Sequence, residues 1–462
     1  MSGLVQTVLA FIKTHWDENK PILLGLSGGP DSLVLLYLLL ECQKKCKFTL
    51  GIAHIDHGWR PESEQEATQL ENLSKELNIP FFVRKLNPEK LKGNLEASSR
   101  EERLNFFREL SKKHNYQAVI LAHQQDDQKE TVLKNILEGA NLSSCTGMHK
   151  TTQIDGLTIW RPLLDISKKA LLQWVEEHHV TPFFDKTNFD EKFLRARMRA
   201  LIIPELSRMF GKKIHNNLLS IGQEAQELQA FLQNHLDSCL QSIETGTFGS
   251  FLDCNQQQNV NTPFEIKYLL RKVAERERCC LPREILTKAA HHLILRSANR
   301  KFSVGKHSIF VDRGRFFVTS KVFTALPQEK ATLKDSFCFG NWIVSVEDYS
   351  VPPEKTSSNW KAIWNGQAEV VLPITRKGYE IGPPKMNTPY PRTSSLSKWW
   401  NNHKIPAFLR EATPVIWVDD DVVAHEFLTG RQNPPQLQKG ERWQKIRIVR
   451  KDFPFVNFVE NE

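Results

Sequence analysis

The sequence predicts an α/β chain: an N-terminal doubly wound parallel sheet, then a mainly helical middle domain and a small β-rich C-terminal domain. Three observations predict it. Short apolar runs alternate with longer helical patterns from residue 21 to about residue 137, the order that builds a parallel sheet covered on both faces. A glycine-rich turn, Ser27-Gly28-Gly29-Pro30-Asp31-Ser32, joins the first run to a long apolar stretch. Polar residues then gather where later runs end, the side on which open α/β sheets bind ligands.

Pro21 to Leu26 reads as a buried strand and Leu33 to Leu40 as a buried helix. Phe48 to Ile55 follows as a strand, Glu62 to Leu77 as a helix, Phe81 to Leu86 as a strand and Leu95 to Lys113 as a helix. Ala118 to Ala122 is a short buried strand, and Gln128 to Leu137 resumes the helical pattern. The spacing of Ile214, Leu218, Ile221, Leu228, Leu232 and Leu236 predicts helix within 214–243, and Pro263 to Val273 and Pro282 to Leu295 continue it. A hairpin is expected around Phe302–Val304 and Ser308–Val311, with a turn at Asp312-Arg313-Gly314 before Phe316-Phe317-Val318. Ala325 to Lys334 reads as a linker. Ile343–Val346, Val370–Leu372 and Val415–Val418 are the expected strands of the terminal domain, with one short helix near Ser397–Trp400. The expected domains are 1–212, 213–325 and 335–462, the last two binding RNA.

At 462 residues the chain exceeds one ordinary core, and 40% hydrophobic residues suffice to pack several. The longest apolar run is far too short for a membrane span, and the first residues lack a signal-peptide pattern, so a cytoplasmic protein is expected. Eight cysteines include no Cys-x-x-Cys pair, which disfavours zinc, iron–sulfur and dithiol chemistry. The net charge of +9 fits a polyanionic partner such as nucleic acid.

In the turn at 27–32, two glycines let backbone N–H groups approach phosphate oxygens, and Ser27 and Ser32 add hydroxyls, Ser32 also as a helix cap. Asp31 beside a polyphosphate calls for Mg²⁺ between them. The same residues also fit an ordinary turn with a carboxylate near the helix dipole. The loop lacks the Gly-Lys-Ser/Thr ending of a Walker A motif. Downstream, the second strand ends in His54-Ile55-Asp56-His57-Gly58, and the strand at 118–122 ends in His123-Gln124-Gln125-Asp126-Asp127-Gln128-Lys129-Glu130-Thr131. If Asp126 caps the next helix, Asp127 and Glu130 share one face of its first turn. There they either stabilise the helix start or hold Mg²⁺ or the ammonium of an amino-acid substrate.

The loop resembles that of the N-type ATP pyrophosphatases (PP-loop superfamily), Ser-Gly-Gly-x-Asp-Ser. The ordered set of motifs is similar to the tRNA(Ile)-lysidine synthetase family across about residues 20 to 210. After the loop come His54 to Gly58, Glu96-Ala97-Ser98-Ser99-Arg100-Glu101-Glu102-Arg103, His123 to Thr131, Arg161-Pro162-Leu163-Leu164 and Asp185-Lys186-Thr187-Asn188 with Arg195, Arg197 and Arg199. Ser99, Leu104, Ala196 and Trp59 depart from the family's usual residues without removing a charged side chain.

The resemblance implies a PP-loop ATPase fold and a three-substrate ligase. ATP adenylates the C2 oxygen of the wobble cytidine in an isoleucine tRNA with a CAU anticodon, and L-lysine then displaces AMP. On this reading Ser27, Gly28, Gly29, Pro30 and Ser32 cradle pyrophosphate, and Asp31 and Asp127 hold Mg²⁺. His54 and His57 flank the nucleotide, and Asp127 and Glu130 bind lysine. Arg103 meets a phosphate or the lysine carboxylate, or else forms a surface ion pair. His123 meets the base or phosphates, or is structural. Arg195, Arg197 and Arg199, with Lys192, Arg208, Lys212 and Lys213, form a basic RNA-binding run. Further basic residues are Arg296, Arg300, Lys301, Lys306, Arg313 and Arg315, then Arg376 and Lys377. Lys398-Trp399-Trp400 and Lys404 to Arg410 join them, the tryptophans either stacking on RNA or lying in the core. A thiolating relative would need Cys-x-x-Cys spacing, and an amide-forming one an ammonia source. A non-catalytic tRNA-binding relative would not need Asp31, Asp127 and Glu130. The state of assembly, a homodimer included, stays open.

Overall fold

The computed structural model describes residues 3–58, 63–86, 95–182, 194–211, 213–256, 260, 262–319, 326–350, 358–375, 378–419, 422–431 and 442–452. Asp185 to Asn188, Lys192, Lys212, Arg376, Lys377 and Trp59 lie outside these residues, as does the side chain of Glu96. The chain divides into two compact units, Met1–Phe231 and Leu232–Glu462.

The first unit opens with α1 (Gly3–His15), β1 (Ile22–Gly25), α2 (Pro30–Gln43), β2 (Leu50–Asp56), α3 (Ser63–Glu76), β3 (Phe81–Lys85), α4 (Leu95–His114), β4 (Ala118–Ile120) and α5 (Gln125–Leu137). A hairpin of β5 (Thr151–Ile154) and β6 (Leu157–Trp160) follows, then α6 (Lys168–Glu177), α7 (Leu194–Arg197), a π-helical turn at Met198–Ile202, α8 (Ile203–Phe210) and α9 (Ile214–His235). The sheet order is β3-β2-β1-β4-β6-β5, parallel throughout except for β5 at the edge. Successive strand residues point to opposite faces. Ile22 and Leu24 of β1 enter a core with Val8 and Ile12 of α1, Leu35 and Leu39 of α2 and Leu171 of α6. Leu23 enters a second core with Phe106 and Phe107 of α4. Covering both faces explains why β1 reads as an unbroken apolar run. β1 lies between β2 and β4, so the chain reverses its direction of travel across the sheet there. The crevice at the carboxyl ends of β1 and β4 is the switch point where such folds bind ligands.

The hairpin β5–β6 and helix α6 were not anticipated. The hairpin turns at Asp155-Gly156, both with positive φ (49° and 78°), a two-residue turn that matches strand twist.

The second unit comprises α10 (Asp237–Gln241), β7 (Glu244–Gly246), β8 (Gly249–Asp253), α11 (Pro263–Arg276), α12 (Arg283–Ile294), β9 (Arg300–Val304), β10 (His307–Asp312) and β11 (Arg315–Thr319). It continues with β12 (Ala331–Thr332), β13 (Ser336–Phe339), β14 (Trp342–Tyr349), α13 (Trp360–Trp364), β15 (Gln367–Pro373), β16 (Glu380–Gly382) and α14 (Leu396–Asn402). Its last elements are α15 (Ala407–Arg410), β17 (Val415–Asp419), β18 (Val422–Glu426) and β19 (Trp443–Arg450). The middle helices accompany a five-stranded antiparallel sheet, β7-β8-β11-β10-β9. Two four-stranded sheets follow, β12-β16-β17-β18 and β13-β14-β19-β15. One aromatic core joins Phe251 and Phe317 of the first of these sheets to Trp342, Trp364, Trp400 and Trp417 of the later elements. Within the segment read as a linker, Ala331–Thr332 pairs with β16 as a strand. Among the described residues no helix is long and apolar enough to cross a membrane.

Candidate active site

The β1–α2 turn carries the loop. Gly28 has φ +85°, the left-handed region that glycine enters without strain. Gly29 caps α2 and Pro30 takes its first position, where a missing N–H costs nothing. The cap is therefore Gly29 and not Ser32. The Ser32 hydroxyl donates to the Gly29 carbonyl (2.9 Å) and receives the Ser27 hydroxyl (3.1 Å), while Ser27 itself is exposed. Asp31 stands in the first turn, and Lys168 Nζ donates to its Oδ1 at 2.7 Å. Burial raises the Asp31 carboxyl above its usual range, Lys168 opposes this, and Asp127 adds to it.

Helix α5 starts beside that turn. Its cap is Gln124, not Asp126: the Gln124 side chain accepts from Asp126 N, and Asp127 Oδ2 accepts from Gln124 N at 2.9 Å. This is a capping box, so Asp127 helps to hold its own helix. Its other oxygen, Oδ1, accepts Arg199 Nη2 at 2.7 Å. Glu130, one turn on and 1% exposed, accepts Arg199 Nε and Nη2 on its two oxygens. Burial raises the Glu130 carboxyl even though Arg199 pulls it down. Arg199, expected on RNA, thus lies on the two carboxylates expected to hold lysine, and it belongs to the π-helical turn that follows α7. Asp126 is paired with Lys129 at 2.8 Å.

A cationic group lies around His123. Arg161 is buried and donates through Nη1 to the His149 carbonyl (2.8 Å) and Thr152 Oγ1 (2.9 Å). Burial, and then Arg100, Arg195 and Arg161, push the Arg103 guanidinium down to about 10. Its Nε and the Nδ1 of His123 are sealed from solvent without a hydrogen-bond partner among the described residues. Burial, followed by the same guanidiniums, holds His123 well below its ordinary value, so it is neutral at pH 7. Gathered cations with an orphaned guanidinium N–H suit an anion.

At the end of β2, His54 is buried and its Nδ1 lies 2.8 Å from the Leu26 carbonyl; a carbonyl only accepts, so Nδ1 carries the proton. Asp56 is buried and accepts from Gly58 N at 2.8 Å. His57 is half-buried. In the basic run, Arg195 is half-buried, Arg197 and Lys213 are exposed, and Arg208 is exposed but paired with Glu205.

In the second unit the basic stretches divide. Lys398 is exposed, as are Arg296, Arg300, Lys301 and Lys306. Arg410 is buried and donates to the Ile405 carbonyl (Nη2, 2.6 Å), a tie within its own segment and not a solvent-facing cation. Arg315 is likewise buried against Asp312, with which Arg313 also pairs. Trp400 lies in the core and donates to Glu426 Oε2 (2.7 Å). Half-buried Trp399 donates to Thr429 Oγ1 (3.0 Å) and lies against His403 and the Arg431 guanidinium, so its faces are occupied.

Asp31, Asp127 and Glu130 are thus brought together, while Arg103 and neutral His123 lie among the guanidiniums of Arg100, Arg161 and Arg195. Two neighbours were missed: Lys168 on Asp31 and Gln124 at the α5 cap. Among the described residues no three His, Cys, Asp or Glu side chains form a ready metal site. Mg²⁺ needs fewer, because one or two carboxylates plus substrate phosphates commonly complete its shell. Asp31, raised by burial and by Asp127, fits that demand.

Comparison with known proteins accords with this geometry. A family model described as a PP-loop domain matches residues 3–206, and a model described as the TilS substrate C-terminal domain matches residues 385–440. The tRNA(Ile)-lysidine synthase of Protochlamydia amoebophila is 39% identical over 451 residues, which cover 96% of this chain and 97% of that one. That of Chlamydia muridarum is 35% identical over 287 residues, covering 62% and 88%. Among solved structures, the U34-tRNA thiolase NcsA from Methanococcus maripaludis is similar at 19% identity, over 49% of this chain and 78% of its own, with a TM-score of 0.39.

Proposed function

The chain belongs to the tRNA(Ile)-lysidine synthase family, and from that premise we propose how its residues divide the work. It is an ATP-using carbon–nitrogen ligase that forms lysidine on tRNA(Ile). The finer chemistry is our reading. The C2 oxygen of the wobble cytidine, in a CAU anticodon, attacks the α-phosphate of ATP, and the bond to pyrophosphate breaks. The amine of L-lysine then attacks C2, loses a proton, and AMP departs with the oxygen. Such transfers depend mainly on alignment and charge neutralisation.

The β1–α2 turn, from Ser27 to Ser32, receives the departing pyrophosphate on N–H groups and hydroxyls. Asp31 and Asp127 would hold Mg²⁺, which neutralises charge between carboxylate and polyphosphate. Arg103, with Arg100 and Arg161 nearby, takes an anionic group, the α-phosphate or the lysine carboxylate. His123, kept neutral, serves there as a hydrogen-bond partner. His54 orders the strand ends through Leu26.

One observation carries the amine site: two carboxylates, 8% and 1% exposed, already hold a cation, the Arg199 guanidinium, beside the phosphate loop. A lysine ammonium would replace that guanidinium, and Arg199 would swing toward the RNA with Arg195 and Arg197. Exposed Lys398 is a further RNA contact. A tRNA substrate fits a cytoplasmic enzyme, and nothing in this reading requires a second copy of the chain.

Asp31→Ala tests the phosphate end. ATP–pyrophosphate exchange should fall to background while circular dichroism and melting temperature stay near wild type; a folded variant with undiminished exchange would refute the assignment.

A further inference from the structure

Lys168 occupies an unexpected place. It is the first residue of α6, whose cap Ser167 accepts from Ala170 N at 3.3 Å. A helix N-terminus repels cations, so helix formation alone would not select lysine there. Its ammonium nevertheless reaches Asp31 Oδ1 at 2.7 Å, across 137 residues of sequence, joining the first turn of α6 to the first turn of α2. The pair is not sealed: the two side chains keep 31% and 24% of their surface exposed.

The surroundings direct this cation to the phosphate end. The Ile166 carbonyl, just before α6, accepts Gln125 N of α5 at 3.0 Å, which ties the starts of α5 and α6 together. Tyr37 of α2 packs on Trp174 of α6. Three helix starts, α2, α5 and α6, therefore converge at the carboxyl ends of β1 and β4. Of the other cations near this turn, Lys129 is buried on Asp126 and Arg199 is engaged by Asp127 and Glu130. Lys168 alone among these three is paired to the loop carboxylate itself. An ammonium has three donors, so a bond to Asp31 leaves two for another acceptor.

We infer that Lys168 is a substrate-contacting residue of the phosphate site, binding the β- and γ-phosphates of ATP and the pyrophosphate they become, with Asp31 holding its ammonium in place. The inference rests on the ATP reading above. As the bond to the α-phosphate breaks, negative charge grows on the leaving pyrophosphate, and a cation fixed there stabilises that change more than the ground state.

The test measures product inhibition of the full-length enzyme by pyrophosphate and by AMP, with Lys168→Ala, Lys168→Arg and wild type. Loss of a charge-assisted contact should raise the inhibition constant for pyrophosphate and the KM for ATP about ten- to hundredfold in Lys168→Ala. The AMP constant and the KM for lysine should stay within about twofold, and Lys168→Arg should recover part of the loss. A purely structural lysine would instead lower the melting temperature and weaken AMP and pyrophosphate alike. That result, or an unchanged pyrophosphate constant, overturns the inference. Wild-type enzyme that released no pyrophosphate from ATP would overturn the ATP reading with it.

Discussion

Asp127 divides its carboxylate between two tasks, one oxygen closing the capping box of α5 and the other facing Arg199. Glu130 has no such structural duty among the contacts described, and both its oxygens face the same guanidinium. Glu130 is therefore the cleaner probe of the amine site. Glu130→Gln keeps shape and removes the charge, so the KM for lysine should rise about ten- to hundredfold while the KM for ATP moves less than about twofold. Steady-state kinetics with each substrate varied in turn checks this, and an unchanged lysine KM would dismiss the assignment. The carboxylates and the loop were legible because each lies beside a strand end. Their partners were not: Arg199 is 69 residues from Glu130, and Lys168 is 137 from Asp31. No local pattern encodes such pairings. Arg410 misled for the opposite reason, since a basic residue in a basic stretch looks exposed until its guanidinium is found on the Ile405 carbonyl.

At the scale of elements, legibility followed periodicity. The buried parallel strands β1, β2 and β4 have short apolar runs, α2 has a long one, and α9 has apolar residues at helical spacing, so all were readable. The β5–β6 hairpin is short and its β5 strand is half-exposed, and its signal was the Asp155-Gly156 pair alone. Strand β18 shows how burial departs from simple alternation: His425 and Glu426 are adjacent, and both are fully buried. Glu426 takes bonds from both tryptophans of α14 and from the backbone N–H groups of Leu428 and Thr429. Burial pushes His425 down to about 3. A histidine whose folded value lies below its unfolded one takes its proton on unfolding, so stability falls as pH drops below about 6.5. The contribution is about 1.4 kcal/mol per pH unit down to the folded value. Chemical denaturation of His425→Leu between pH 7 and 4 should show a shallower loss of stability than wild type; identical slopes would contradict a neutral buried imidazole.

At the scale of the molecule, the net charge of +9 agrees with an RNA substrate, but part of the basic inventory is structural. Arg161, Arg315 and Arg410 are buried, whereas Arg197, Arg300, Lys301 and Lys398 face solvent. The N-terminal unit holds the phosphate turn, the paired carboxylates and the cationic group around His123, and Leu232–Glu462 holds the stretch matched by the substrate C-terminal domain model. The central claim is that these parts join lysine to one base of one tRNA. It is tested most directly by incubating the enzyme with ATP, radiolabelled L-lysine and a panel of unmodified tRNAs, and counting label in the tRNA. Label should enter only the isoleucine tRNA with a CAU anticodon, in an ATP-dependent manner and on the wobble cytidine. No label in any tRNA, or label that enters without ATP, would contradict the account.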